Sequence, residues 1–339
     1  MHYWTLDLYR FFAAFLVSTS HFILYQSESS VAEYTSILGV ELFFVLSGFV
    51  LAPQLIKLRA SSVDNTKVFL IRRWMRTIPA YVVALTCAAI MFGYGDATNL
   101  VRFLTYTQNI VSDSPSLNFF PVAWSLSVEE WFYILTPVLI LVTSKLKKGG
   151  IDPIYMGLSV ITLLSIVKIA FNDGVDWGEN IRRSVVFRLD AIFFGLIAYM
   201  IKDKIKIKFL IFVSITSSIF LINVGINPKT LSESILLQNL FLPICSLFFG
   251  SILIILTLIR FESKKIISIS QFCANISYSM YLFHFFFIYL ISNVINNGLI
   301  SFIIYFLSLV IYCFLFFYYF ERSILEARPK YRQSIIIKI

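Results

Sequence analysis

Long apolar segments separated by short polar ones recur along the whole chain. Ten of them have about 20 mostly apolar residues, enough to cross a bilayer as helices. Turn-forming residues interrupt the pattern between them, as at Asp173-Gly174 and Asn227-Pro228. Residues 98–110 are too short and too polar to span, so we expect an interfacial segment there. The predicted spans are 5–25, 37–56, 77–94, 122–143, 152–171, 184–201, 207–226, 235–258, 273–294 and 299–320.

The composition excludes an ordinary soluble domain. Of 339 residues, 58% are apolar and 14% are charged, against about 25% charged in typical soluble domains. The mean hydropathy is +0.82, and so few polar side chains cannot cover the surface of a water-soluble fold. The four cysteines show no zinc-ligand spacing, so we predict no metal site. We therefore predict an all-α, polytopic membrane helix bundle, a single domain over 1–339 with no appended soluble domain.

Lysines and arginines predict the orientation, because positively charged loops stay in the cytoplasm. With the N-terminus inside, ten spans place 21 of the 28 lysines and arginines in inner loops and the tail, and four in outer loops. The other three, Arg10, Lys168 and Arg188, lie within spans. We predict that both termini are cytoplasmic, and we attribute the net charge of +9 to the inner loops rather than to nucleic-acid binding.

Ionisable residues inside membrane helices carry functional information, because each costs about 2.5–3.5 kcal/mol at the bilayer centre. In the first span, Arg10 and His21 are eleven residues apart. A helix therefore places them on one face, roughly 16 Å apart along the axis. Asp7 lies one turn before Arg10 and can pair with it. A packing role remains open, in which His21 bonds a neighbouring helix and Arg10 reaches towards the interface.

Three carboxylates are expected near the outer surface. Glu41 begins the second span, and we expect it at the same level as His21. Glu129 and Glu130 begin the fourth span, where negative charge at a helix N-terminus is favourable. Ser127 and Glu130 have the spacing of a capping box, which accounts for only one of the two adjacent glutamates.

Two further groups combine basic and aromatic side chains. His284 is predicted near mid-depth in the ninth span, one turn after Tyr281, and a packing role fits it equally well. Arg72, Arg73 and Arg76 cluster in the predicted cytoplasmic loop between the second and third spans. Guanidinium groups bind phosphates bidentately, but anchoring of the loop in the cytoplasm would need the same residues.

Five motifs, in order and over nearly the whole chain, resemble those of acyltransferase family 3, integral membrane O-acyltransferases of bacterial surface polysaccharides. Three are the segments 39–49, 125–133 and 277–284. The others are an arginine and a histidine separated by ten residues, here Arg10 and His21, and an Arg-x-x-Arg pair, here Arg73 and Arg76. Glu41 stands where the family usually has aspartate.

The resemblance implies transfer of an acyl group, most often acetyl, from cytoplasmic acyl-CoA to a hydroxyl of an extracytoplasmic glycan or lipid-linked sugar. The protein would lie in the bacterial inner membrane, surrounded by lipid. We expect His21 to act as the general base, because an imidazole titrates near neutral pH. Acetyl-CoA is the expected donor. The expected roles of the other residues are as follows: Glu129 or Glu130 holds the second ring nitrogen of His21; Arg10 lies along the donor path; Arg72, Arg73 and Arg76 bind the nucleotide; and Glu41, Ser127, Tyr281 and His284 support the site.

Two other functions and one mechanistic variant remain open. A transporter or flippase of an anionic or glycan substrate would suit the basic inner loops, although paired halves with broken helices are not evident in the sequence. A structural or sensing membrane protein would use the polar residues for packing only. Within the transferase, the acyl group could pass through a covalent acyl-histidine. We expect sugar selectivity to depend on the outer loops 95–121 and 172–183.

Overall fold

The computed structural model describes residues 3–58, 63–111, 119–146, 151–174, 176–259, 263–295 and 298–331. Six basic residues counted for the orientation lie outside these residues, namely Arg59, Lys147, Lys148, Arg260, Arg332 and Lys338, as does part of the loop 95–121. The helices are α1 (Trp4–Gln26), α2 (Ser30–Leu58), α3 (Val63–Phe92), α4 (Ala97–Leu104), α5 (Ala123–Leu146), α6 (Pro153–Phe171), α7 (Val185–Ile201), α8 (Ile207–Ile226), α9 (Thr230–Glu233), α10 (Ile235–Thr257), α11 (Lys264–Ser292), α12 (Gly298–Phe316) and α13 (Arg322–Glu326). Two π-helical turns, Gly178–Arg182 and Phe317–Glu321, precede α7 and α13.

Each of the ten predicted spans overlaps one of the ten long helices of the described residues, which confirms an all-α polytopic bundle. Nine helices in the described ranges are long and apolar enough to cross a membrane. The tenth, α7, has 17 residues and packs against α2, α5, α6 and α10. The chain is thus an integral multi-pass membrane protein. The short helix α4 occupies most of the predicted interfacial segment.

Several helices begin earlier than predicted. The first residues of α2, α3 and α11 lie seven to fourteen positions before the predicted spans. Hydropathy identifies the stretch that matches the hydrocarbon core, whereas backbone hydrogen bonds continue the helix into its polar flanks. Arg72, Arg73 and Arg76 consequently lie within α3. Their predicted position in an interhelical loop is wrong.

The bundle has two ends, which we name by their side chains. The arginine end carries Arg72, Arg73 and Arg76, and the histidine end carries His21 and His284. Helix α1 runs from the arginine end to the histidine end and packs against α2 and α11. It is antiparallel to α2 and parallel to α11.

Helices α2 and α7 approach each other closely enough for their backbones to touch. A Cβ atom on Gly48 would collide with the Ile192 carbonyl group, and one on Gly195 would collide with the Val45 carbonyl group. Only glycine permits this approach at the two positions.

Four charged side chains are buried between α2, α6 and α7. Arg188 Nη2 donates to Glu41 Oε1, and Lys168 Nζ donates to Asp190 Oδ2. Arg188 Nη1 lies 3.6 Å from Asp190 Oδ1, which joins the two pairs. Each of the four residues is at most 4% exposed. Buried charges persist only when paired, so we call these two cations and two anions the charge quartet.

The predicted level of Glu41 is wrong. Ser20 Oγ and Thr35 Oγ1 are 2.8 Å apart, which places Thr35 level with the residue before His21. Glu41 is six residues beyond Thr35, or about 9 Å further towards the arginine end. Because α2 begins at Ser30, Glu41 lies in the helix interior. There its carboxylate forms an ion pair with Arg188.

Candidate active site

Two histidines from neighbouring helices form a hydrogen-bonded pair. His21 Nδ1 on α1 lies 2.8 Å from His284 Nε2 on α11. Their rings are stacked, with centroids 5.0 Å apart and 27° between planes. His284 is fully buried, whereas His21 is partly exposed. Two residues 263 positions apart in sequence are therefore brought together by the parallel packing of α1 and α11.

The hydrogen bonds of the pair determine which nitrogens carry hydrogen. His284 Nδ1 lies 2.8 Å from the Tyr281 carbonyl oxygen, which can only accept. Nδ1 of His284 is therefore the donor, and its Nε2 in the neutral ring is an acceptor. His21 Nδ1 must then donate to His284 Nε2, which leaves a lone pair on His21 Nε2. The pair presents His21 Nε2 as its basic atom.

This arrangement differs from the expected one, in which a glutamate holds His21. Among the described residues, His284 occupies the place expected for Glu129 or Glu130. Glu129 accepts from the Tyr133 hydroxyl at 2.8 Å, and Glu130 accepts from Thr77 Oγ1 at 2.5 Å. Both glutamates lie within α5, on the part of the helix that faces the arginine end and not the histidine pair.

The predicted capping box is also wrong. Helix α5 begins at Ala123, so Ser127 and Glu130 lie in its second turn instead of at its start. Ser127 Oγ donates to the Ala123 carbonyl oxygen at 3.3 Å and accepts from Gln108 Nε2 at 2.6 Å. Because the helix N-terminus is a turn or more away, its dipole does not account for the two carboxylates.

A cavity of about 510 Å³ runs from the arginine end into the bundle. Four arginines line it, namely Arg10, Arg73, Arg76 and Arg328, together with the carboxylates of Asp7 and Glu129. Ser125 and Tyr281 line its inner end, where their hydroxyl oxygens are 2.5 Å apart. The Tyr281 ring is 6.0 Å from the His284 ring. The cavity thus ends about one helical turn from the histidine pair.

Two of the three predicted phosphate-binding arginines face this cavity. Arg73 and Arg76 are three residues apart on α3, so they share one helix face. Arg73 Nη2 donates to Gln54 Oε1 at 2.6 Å, and Arg76 Nη1 lies 3.8 Å from Glu321 Oε2. Arg72 is outside the lining and donates to the Pro329 carbonyl oxygen at 2.7 Å. Arg72 therefore holds the C-terminal segment against α3.

Arg328 is a site residue that the sequence analysis missed. It follows α13 and lines the cavity beside Arg73 and Arg76. Burial, followed by the nearby charges of Arg72, Arg76 and Arg73, lowers the pKa of Arg328 to about 10. Arginines that repel one another at a cavity mouth favour a polyanionic ligand. No motif surrounds Arg328 in the sequence, where it is one of several basic tail residues.

The structure divides the predicted site residues into three groups. Arg10, Arg73, Arg76, Glu129 and Tyr281 share the cavity. His21 and His284 form the pair beyond its inner end. Those outside its described lining are Glu41, Arg72, Ser127 and Glu130.

The fold and the cavity together define a helical membrane protein with a polar site deep inside the bundle. The family profile described as an acyltransferase domain matches residues 3–322, so the chain belongs to acyltransferase family 3. The resemblance identified from the five motifs is confirmed.

Several curated proteins are similar to parts of the chain. A predicted O-acetyltransferase of Staphylococcus aureus (strain COL) is 29% identical over 190 residues, which cover 50% of this chain and 31% of that protein. A predicted acetyltransferase of Acidianus two-tailed virus is 26% identical over 250 residues, which cover 73% of this chain and 72% of that protein. The predicted peptidoglycan O-acetyltransferase YrhL of Bacillus subtilis (strain 168) is 28% identical over 133 residues, which cover 33% of this chain and 20% of that protein.

The match to the staphylococcal protein spans only about a third of that protein's length. No solved structure matches the chain.

Proposed function

We propose that the chain transfers an acyl group, in the simplest case acetyl, from cytoplasmic acyl-CoA to a hydroxyl of an extracytoplasmic glycan or lipid-linked sugar. The observation that carries this proposal is that one continuous cavity contains both the four arginines and Tyr281, which lies one turn from the histidine pair. Membership of the acyltransferase family supports the reaction class. The O-acetyltransferase names of the relatives support acetyl as the group and oxygen as the acceptor atom.

The residues at the arginine end fit an acyl-CoA donor. Its nucleotide carries several phosphate charges, and guanidinium groups bind phosphates in a fixed, bidentate geometry. Arg73, Arg76 and Arg328 would hold these phosphates at the mouth. The rest of the cavity runs past Arg10 towards Tyr281. This part suits the uncharged arm of acyl-CoA, which connects the nucleotide to the thioester.

In the proposed reaction, His21 Nε2 takes the proton from the acceptor hydroxyl. The hydroxyl oxygen forms an ester bond with the acyl carbon, and the bond between that carbon and the CoA sulfur breaks. The leaving thiolate receives the proton from His21, which regenerates the neutral imidazole. Attack by His21 Nε2 itself on the acyl carbon is the covalent variant. Parallel double-reciprocal plots for the two substrates would indicate an acyl-enzyme. Intersecting plots would indicate direct transfer.

We assign the arginine end to the cytoplasm and the histidine end to the outer surface of a bacterial inner membrane. The assignment rests on the excess of lysine and arginine in alternate loops. Donor and acceptor would then approach the histidine pair from opposite sides of the membrane.

The proposal is tested with purified protein in liposomes and acyl-CoA labelled in its acyl group. Glycan isolated from cells that lack the gene serves as the acceptor. We expect release of free CoA and transfer of the label to the glycan as an alkali-labile ester. Accumulation of label inside the liposomes without CoA release or ester formation would instead establish the transporter function.

The role of Arg328 gives a separate prediction. We expect Arg328→Ala to raise the KM for acyl-CoA about tenfold with little change in kcat, because one charge-assisted hydrogen bond contributes about 1.5–3 kcal/mol. Arg328→Lys keeps the charge but not the planar fork, so its effect should be smaller. The measurement is initial velocity against acyl-CoA concentration.

Arg322→Ala is the matched control for Arg328→Ala. Arg322 lies in α13, its side chain is 53% exposed, and it pairs with Glu326 at 2.7 Å. Its substitution should leave the KM for acyl-CoA unchanged. Equal effects of the two variants would mean that the tail contributes only general positive charge.

A further inference from the structure

A second cavity, of about 610 Å³, opens at the histidine end. Its walls come from the turn between α1 and α2, from the segment that leads into α7, and from the loop between α8 and α10. Leu24, one helical turn after His21, lines it. We call the first cavity, which Arg73 and Arg76 line, the donor cavity. The second cavity therefore reaches the neighbourhood of the proposed base from the opposite end of the bundle.

Two residues that line this cavity each carry a buried polar atom with no hydrogen-bond partner in the part of the chain that the structure describes. These atoms are Trp177 Nε1, a donor, and Gln238 Oε1, an acceptor. Trp177 is 8% exposed and Gln238 is 2% exposed. Trp177 packs against Phe241 with ring centroids 6.3 Å apart, and Phe241 lies one turn after Gln238 on α10.

A buried polar atom without a partner is unfavourable, because it has lost its hydrogen bonds to water and gained none in return. Hydroxyl groups of a ligand can satisfy both atoms, because a hydroxyl oxygen accepts from Trp177 Nε1 and a hydroxyl hydrogen is donated to Gln238 Oε1. A carboxylate could not donate, and an ammonium group could not accept. The unpaired donor and acceptor therefore favour an alcohol.

The charges of the two cavities have opposite balances. The donor cavity has four arginines and two carboxylates. The second cavity has three carboxylates, Glu28, Glu33 and Asp176, and two cations, Arg182 and Lys229. Carboxylates accept hydrogen bonds from hydroxyl groups but repel phosphates and other anions. The second cavity thus suits a neutral ligand with several hydroxyls.

A series of side-chain contacts connects the second cavity to the donor cavity. Arg182 lines the second cavity, and its guanidinium lies 5.7 Å from the centre of the Trp124 ring. Trp124 packs against Phe44 with ring centroids 5.8 Å apart, and Phe44 lines the donor cavity. Trp124 therefore lies between a residue of the second cavity and a residue of the donor cavity in one series of contacts.

We propose that the second cavity binds the acceptor as a neutral, polyhydroxylated sugar unit, whose hydroxyls pair with Trp177 Nε1 and with Gln238 Oε1. This inference rests on the proposed transferase function. It also assigns a role to the predicted outer loop 172–183, which contributes Trp177 and Arg182 to the cavity.

The test uses Gln238→Leu, which removes the acceptor atom and nearly conserves volume. The probe is the glycan fraction isolated from cells that lack the gene. We expect the KM for this glycan to rise about tenfold, the equivalent of about 1.4 kcal/mol for one buried hydrogen bond. Hydrolysis of acyl-CoA without glycan should stay at the wild-type rate. Trp177→Phe should act in the same direction.

Gln26→Leu is the matched control, because Gln26 lies at the same end but bonds to Ser292. An unchanged KM for glycan in both Gln238→Leu and Trp177→Phe overturns the proposal. If either variant also loses acyl-CoA hydrolysis, Glu33→Ala decides. Glu33 lines the cavity and is exposed, so its substitution removes a hydroxyl acceptor and leaves the core intact. We expect Glu33→Ala to raise the KM for glycan, and an unchanged KM then overturns the proposal. Failure of the transferase function would give a different result from failure of this proposal. In that case even the wild-type protein would neither hydrolyse acyl-CoA nor acylate the glycan.

Discussion

His21→Ala is expected to lower the rate of acyl transfer by about 10²–10⁴-fold, the usual contribution of a general base. The pair geometry leaves the lone pair on His21 Nε2, and the alanine variant has no atom that could replace it. The protein should still insert and fold, because His21 is partly exposed and contributes one hydrogen bond to the α1–α11 contact. The measurement is O-acylation of envelope glycan by mass spectrometry, with protein amounts matched by immunoblot.

His284 acts in this scheme as a positioning residue, since it touches His21 and not the reacting atoms. His284→Ala removes the acceptor for His21 Nδ1 and frees the ring to turn and to change tautomer. His284→Gln can restore an acceptor oxygen near the position of Nε2. We therefore expect glutamine to retain several-fold more activity than alanine, a difference that a purely structural loss would not produce.

Ser20→Ala is the control for these variants. Ser20 precedes His21 and bonds to Thr35 across the α1–α2 contact. Its substitution removes a polar helix contact without touching the proton path, so activity should stay close to wild type. Glycan acylation that persists unchanged in His21→Ala would make the histidine a packing residue, and the transporter function would then be the better explanation.

The sequence predicted the spans well because one property, the length of an apolar run, determines whether a helix can cross the bilayer. Helix ends were predicted poorly because polar flanks remain helical. The predicted loop therefore placed Arg72, Arg73 and Arg76 outside a helix, whereas they lie in α3. Similarly, Ser127 was predicted as a helix cap but lies in the second turn of α5.

Candidate chemistry was predictable where it follows from spacing along one helix, as for Arg10 and His21. Partners between helices were not, because no local pattern encodes them. The sequence contained both His21 and His284, but nothing in it indicated that an imidazole would occupy the position expected for a glutamate. Arg188 was visible inside a span, but its partner Glu41 lies 147 residues away. Arg328 likewise reaches the cavity only through the fold.

Removing one member of the charge quartet is expected to destabilise the fold strongly. Glu41→Leu leaves the Arg188 guanidinium fully buried without its hydrogen-bonded carboxylate. Loss of one partner from a buried ion pair lowers the free energy of unfolding by about 3–5 kcal/mol. The measurement is reversible unfolding in mixed detergent micelles, compared with wild type under identical conditions.

Glu41→Leu combined with Arg188→Met is the decisive variant. It removes a cation and an anion together, so Lys168 and Asp190 remain as a balanced pair. Replacing a buried ion pair by apolar side chains of similar volume is often neutral or stabilising. The double variant should therefore be more stable than either single variant, with a coupling energy of at least about 2 kcal/mol. Additive effects would mean that Glu41 and Arg188 contribute independently. The quartet would then not act as one unit behind Phe44, whose ring centre lies 5.5 Å from the Arg188 guanidinium and which lines the donor cavity.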